Sequence, residues 1–132
     1  MKYLPSEDVE RDWPVCLPYI QDAIDHSPFG MQPEYVREML ELPQYQLWRG
    51  DKFAVVTELQ GHLFNFWLAG GDMNELALGY TDAENWAKLH GATRIMVYGR
   101  RGWEKSFLKH YGYQPKWIVL EKTLWEQQHY QS

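Results

Sequence analysis

Apolar and polar positions follow two different rhythms along this chain, and the rhythm changes near Tyr45. Upstream, apolar side chains recur every three or four positions, the period of a half-buried helix. Asp12 reads as an N-cap with Pro14 just inside the helix. Leu17, Ile20 and Ile24, with Cys16 and Tyr19 beside them, carry its apolar face as far as Asp25. Ser27-Pro28-Phe29-Gly30 breaks it. A second helix opens near Pro33, puts Tyr35, Val36, Met39 and Leu40 on one stripe, and stops at Pro43.

From Tyr45 the period shortens to that of a strand. Tyr45-Gln46-Leu47-Trp48 predicts one strand, Gly50-Asp51 a hairpin turn, and Phe53-Ala54-Val55-Val56-Thr57-Glu58 a second strand. Gln60-Gly61 is another turn, and His62 to Ala69 a third strand, apolar enough for the middle of a sheet. Asp72 then caps a long helix, with Glu75 placed as in a capping box. Met73, Leu76, Ala77, Tyr80, Ala83 and Ala87 share its apolar face, and Gly91 suits the C′ position. Thr93 to Tyr98 predicts a strand. Trp103, Phe107, Leu108 and Tyr111 make the face of a short helix that Gly112 ends, and Trp117 to Leu124 a last strand. The order α-α-β-β-β-α-β-α-β predicts one α/β (α+β) domain over residues 1–132, a central mixed sheet with helices on its faces.

Composition narrows the function. The chain is 45% hydrophobic and 16% aromatic, which excludes a disordered segment. A formal net charge of −5 disfavours a general nucleic-acid binder, whose affinity comes from neutralising phosphates. The single cysteine, Cys16, excludes an intrachain disulfide and a cysteine zinc site. His26, His90, His110 and His129 lack metal-ligand spacing, so no metal is expected. No apolar run is long enough to span a bilayer, and no signal-peptide core follows Met1, so a soluble cytoplasmic protein is expected, with no membrane partner.

One stretch carries chemistry. A strand runs through Gly70-Gly71-Asp72 into a helix, and the N–H groups of Gly71, Met73 and Asn74 at such a junction suit an anion. Arg94, Arg100, Arg101, Lys105 and Lys109 form a basic cluster in an acidic protein, able to grip a phosphate or a partner. The seven tryptophans exceed what one small core holds, so some should be exposed and mark an interface. These aromatics and the basic cluster 94–109 point to a protein partner, a second copy of the chain included.

The chain resembles the GNAT superfamily of N-acetyltransferases, and within it the short GNAT-like proteins of tailed bacteriophages. The residues that carry this are Leu47-Trp48 with Phe53-Ala54-Val55-Val56-Thr57, Gly70-Gly71-Asp72-Met73 with Glu75, Ala87 with Gly91 and Ala92, Gly99-Arg100 with Gly102-Trp103, Leu108 with Gly112-Tyr113, and Val119-Leu120 with Lys122 and Leu124. The resemblance implies an acetyl-CoA groove between the strands 62–69 and 93–98, with pantetheine along Phe66 and Leu68. The diphosphate would sit on Gly70, Gly71, Asp72, Met73 and Asn74, and Arg100 and Arg101 would hold phosphate. The chemistry needs a base for the amine and an acid for the thiolate. Glu58 and His62 are the candidate bases, Tyr98 and Tyr111 the candidate acids. The chain departs from the superfamily's loop, with no Gln or Arg ahead of Gly70, and has Leu108 where many members place the acidic Tyr. Two expectations follow. One is a non-catalytic phage protein acting in virion assembly or on a host factor. The other is an active acetyl-CoA-dependent N-acetyltransferase on an amine.

Overall fold

The computed structural model describes residues 1–27, 30–97, 106–115 and 122. The chain divides into two compact units, Met1–Arg100 and Arg101–Ser132. The first holds β1 (Lys2–Leu4), α1 (Ser6–Asp25), α2 (Pro33–Met39), β2 (Tyr45–Arg49), β3 (Phe53–Gln60), β4 (Leu63–Gly71), α3 (Met73–Leu89) and β5 (Arg94–Val97). Its strands form a five-stranded sheet in the order β1-β2-β3-β4-β5. The first four pair antiparallel, and β4 pairs with β5 parallel. Period-two alternation decides which residues face which helices. Leu47, Ala54, Val56 and Leu68 meet Val9, Cys16, Ile20, Ala23 and Ile24 of α1 and Val36 of α2. On the other face Trp48, Phe64 and Phe66 meet Trp86 and Tyr80 of α3, with ring centroids 5.7–5.8 Å apart. Each such large side chain taken out of water contributes about 1.5–3 kcal/mol. The mixed α/β architecture is the one the rhythm of the sequence predicts.

In the second unit α4 (Phe107–His110) is capped by Ser106, whose hydroxyl accepts from the Leu108 N–H, and Gly112 follows at φ 86°. The expected last strand, Trp117 to Leu124, lies outside the described residues, Lys122 excepted. Among the described residues no helix is long and apolar enough to cross a membrane.

Several local readings change. α1 starts at Ser6, not at Asp12, and Pro14 and Pro18 lie inside it. The apolar stripe runs two turns further back than expected, through the packed Trp13 and buried Val9. Both prolines are exposed. The carbonyls they leave without an intrahelical donor, those of Glu10 and Pro14, therefore lie on the side that water reaches. Asp12 serves as an ion-pair partner instead, 3.1 Å from Arg11 Nε and 3.8 Å from an Arg49 nitrogen. β1 was not expected at all, because a three-residue strand leaves too little alternation to read. α2 ends at Met39, before Pro43 is reached. His62 is not the first residue of β4 but part of the turn before it, where Gln60 already faces Leu63.

Candidate functional site

β4 is where the sheet becomes irregular. Val56 faces Leu68 and Thr57 faces Phe66, so Trp67 is an extra residue with no partner on β3. Such a bulge bends a strand and re-aims its side chains. Alternation from Asn65 already puts Trp67 on the α1–α2 face, and the bulge lets Leu68 share that face, both packing against the same core. The parallel ladder to β5 runs from Leu63↔Arg94 to Phe66↔Val97, so the bulge stands next to its last described rung.

A row of polar side chains crosses the sheet two residues before the bulge. Tyr45 faces Glu58 across β2 and β3, and Glu58 faces Asn65 across β3 and β4. Residues directly opposite share a face, with side chains about 5 Å apart at their roots. Burial pushes the Tyr45 phenol up to about 12, and the hydrogen bond and negative charge of Glu58 push the same way. Tyr45 and Trp67 lie 5.4 Å apart, and Tyr35 of α2 meets Trp67 edge-on at 6.3 Å. Glu58 is the one candidate base beside the bulge. His62 lies at the far end of β4, where its ring Nδ1 is 3.0 Å from the Gly91 carbonyl oxygen and its own carbonyl accepts from Thr93 and Arg94. There it pins the segment between α3 and β5.

The junction after β4 is built differently from an open anion loop. Gly71, at φ 104°, donates its N–H to Asp22 Oδ2 of α1 at 3.0 Å. Asp72 caps α3, its Oδ1 accepting from Asn74 N–H at 2.9 Å and Glu75 N–H at 3.3 Å. The capping box is not closed. The Asp72 N–H goes to the Lys52 carbonyl, and the Glu75 carboxylate instead accepts the N–H groups of Asp51 and Lys52 at the tip of the β2–β3 hairpin. Two of the three N–H donors expected at the diphosphate position, those of Gly71 and Asn74, thus already serve carboxylates, and Asp22 and Asp72 set negative charge beside it. The other expected cofactor contacts are dispersed. Phe66 stacks on Tyr80 under α3, Leu68 is buried on the α1 side, and Met73 opens α3 partly exposed. Tyr98, Arg100 and Arg101 lie outside the described residues, as do Trp103 and Lys105 of the expected partner surface. Tyr111 belongs to the second unit, after α4, and is exposed.

A diphosphate at this junction would need donors other than the N–H groups of Gly71, Asn74 and Glu75. Among the described residues no group of His, Cys, Asp and Glu is placed to hold a metal ion. The sequence reading selected Glu58 but missed Tyr35, Tyr45, Asn65 and Trp67. The available signal was Asn65, an amide in the middle of an otherwise apolar strand.

No family model matches the sequence, and no curated protein matches it. Solved structures do match the fold. The crystal structure of the aminoglycoside antibiotic 6'-N-acetyltransferase AAC(6')-IG from Acinetobacter haemolyticus, in its apo form, superposes with a TM-score of 0.53 at 12% identity, covering 93% of this chain and 97% of that one. The five-stranded mixed sheet flanked by helices is therefore a GNAT-like N-acetyltransferase fold.

Proposed function

We propose that the protein transfers an acyl group from a coenzyme A thioester to an amine. The observation that supports this is the position of Glu58: a half-buried carboxylate on the α1–α2 face of the sheet, one row from a β4 bulge, in the fold of an acetyltransferase. An ammonium ion has no lone pair to attack with, so something must take its proton, and Glu58 does so. The bulge at Trp67 takes a backbone unit off the β3 ladder, and a backbone N–H next to the reacting atoms stabilises developing negative charge. Bound coenzyme A thioester supplies the activated acyl carbon. Tyr98 remains the proposed proton donor to the thiolate that leaves.

The test is thiol release from acetyl-CoA in the presence of a panel of primary amines, with the acylated product identified by mass spectrometry. Glu58→Gln should slow transfer by about 100-fold with an unchanged circular dichroism spectrum. If calorimetry shows no acetyl-CoA binding at millimolar concentration to folded protein, the proposal fails.

A second reading keeps the fold and drops the chemistry. Its support is the junction after β4, where Asp22 and Asp72 occupy the N–H groups and repel a diphosphate. A virion-assembly or host-factor role in a tailed phage, through the aromatics and the cluster 94–109, would take this form. Acetyl-CoA-dependent acylation of an amine by the purified protein excludes it.

A further inference from the structure

Buried polar atoms in this fold are satisfied with care. On the α3 face Trp48 Nε1 donates to Thr57 Oγ1 at 2.9 Å, Thr57 donates to Gln46 Oε1 at 2.7 Å, and Gln46 Nε2 donates to the Gln44 carbonyl at 2.8 Å. Across the sheet, among the described residues, one side-chain atom breaks the pattern. Asn65 is 9% exposed, and its Oδ1 is buried with no hydrogen-bond partner. A buried acceptor left unpaired is costly and rare in native proteins. A leucine would fill the same place in an apolar strand without that cost.

Asn65 is also in particular company. The Glu58 carboxylate stands directly across from it, and the Tyr35, Tyr45 and Trp67 rings gather on the same face. The set offers a negative charge, an unused carbonyl-type oxygen and aromatic faces. An anion would face the Glu58 carboxylate and could not pair with the Asn65 oxygen. A hydroxyl could donate one hydrogen bond but would leave the carboxylate uncompensated. An –NH3⁺ group has three donors and no acceptor, and it is drawn to ring faces as well as to carboxylates. Tyr35 is 47% exposed, so one wall of the row reaches the surface.

We infer that the row Tyr45–Glu58–Asn65, walled by Tyr35 and Trp67, binds the primary ammonium group of an organic amine, with Asn65 Oδ1 as the acceptor that selects it. The inference rests on the acyl-transfer reading only for the later fate of that amine. Binding itself needs no acyl donor. The oxygen lacks a partner in the protein because the ligand provides one.

The experiment is an NMR titration of the whole chain, following the Asn65 carboxamide and Trp67 indole signals. The probe is n-butylammonium chloride, the neutral control 1-butanol, and no coenzyme A is present. The expected result is a saturable shift with butylammonium that butanol does not reproduce. Asn65→Leu should weaken binding at least about tenfold while raising the melting temperature, since it removes an unpaired buried oxygen. Asn65→Asp keeps the acceptor and should bind at least as tightly as the unchanged protein. Equal shifts with butanol overturn the inference. So does an Asn65→Leu protein that melts lower and binds butylammonium unchanged, or weaker binding by Asn65→Asp. Should Asn65→Leu fail to fold, the Asn65→Asp and butanol comparisons decide. Butylammonium binding without any acetyl-CoA turnover would sink the transferase reading and support the site. Turnover of butylammonium that is indifferent to Asn65→Leu would do the reverse.

Discussion

Asp22 of α1 holds the backbone N–H of Gly71 at 3.0 Å, tying the first helix to the point where β4 ends. Its side chain also reaches His26, with the ring Nδ1 3.3 Å from Oδ1. One carboxylate thus closes a backbone position that an acyl-CoA diphosphate would otherwise use.

Asp22→Ala should do two opposite things. It leaves the half-buried Gly71 N–H without an acceptor, so urea denaturation should show a loss of about 1–3 kcal/mol. It also removes negative charge and opens an N–H donor, so acetyl-CoA affinity should rise. A stability loss with no gain in affinity would mean that the diphosphate does not approach this junction.

Gly70 is held by close approach. A Cβ there would lie 2.0 Å from the Tyr19 carbonyl oxygen and 2.9 Å from the Ala23 nitrogen, both backbone atoms of α1. Gly70→Ala should displace the helix and cost about 3 kcal/mol or more, read as a fall in melting temperature. Gly91→Ala is the contrast. It has open space but a φ of 89°, so its cost should be only the local strain of about 1–2 kcal/mol.

Tyr45 gives the fold an alkaline weakness. Its phenol is pushed up to about 12 in the native protein, against 10.0 for an unperturbed tyrosine. Between those values the unfolded chain has lost the proton and the native one still binds it, so stability falls as pH rises through that window. Below 10.0 the contribution is complete. Absorbance at the phenolate band should show a late-titrating tyrosine that Tyr45→Phe removes. Glu58→Gln should bring it earlier by removing the neighbouring charge. A Tyr45 that titrates with the exposed tyrosines would contradict this.

Cys16 is 0% exposed, and burial pushes its thiol up to about 11. A disulfide reagent near neutral pH should label it only when the protein opens, at a rate that rises with urea. Labelling at the speed of a free thiol in folded protein would show that α1 undocks on its own.

Where the sequence was legible, local chemistry and tertiary demand agreed. α3 has a side-chain cap in Asp72, a stripe through Leu76, Tyr80, Ala83 and Ala87, and a C′ glycine in Gly91, and each appears as read. The β2–β3 and β3–β4 hairpins follow from Gly50-Asp51 and Gly61 for the same reason. α1 was misread where they disagreed. Pro14 signals a helix start locally, but burial of Val9 and Trp13 extends the helix past it. Glu75 was read through a local motif and is used in a long-range contact to another turn. In the site, Glu58 was visible as a carboxylate on a strand. The bulge beside it was not, because an extra residue that leaves Trp67 and Leu68 on one face is hidden inside an apolar run.

The strands stand in the sheet in the order in which the chain supplies them. β2, β3 and β4 are joined by tight turns, so each can zip to the one before as soon as it exists. β1 must wait to close a loop that spans both α1 and α2. Near-neighbour pairing of this kind costs little chain entropy and favours quick folding. The β2–β4 meander is thus the expected nucleus, with α1 docking late onto Gly70. Folding kinetics should show Val56→Ala slowing folding and Ile20→Ala chiefly hastening unfolding. Residues in the bulged strand would then be placed early, and the helix that closes the junction over them would be the last part to commit.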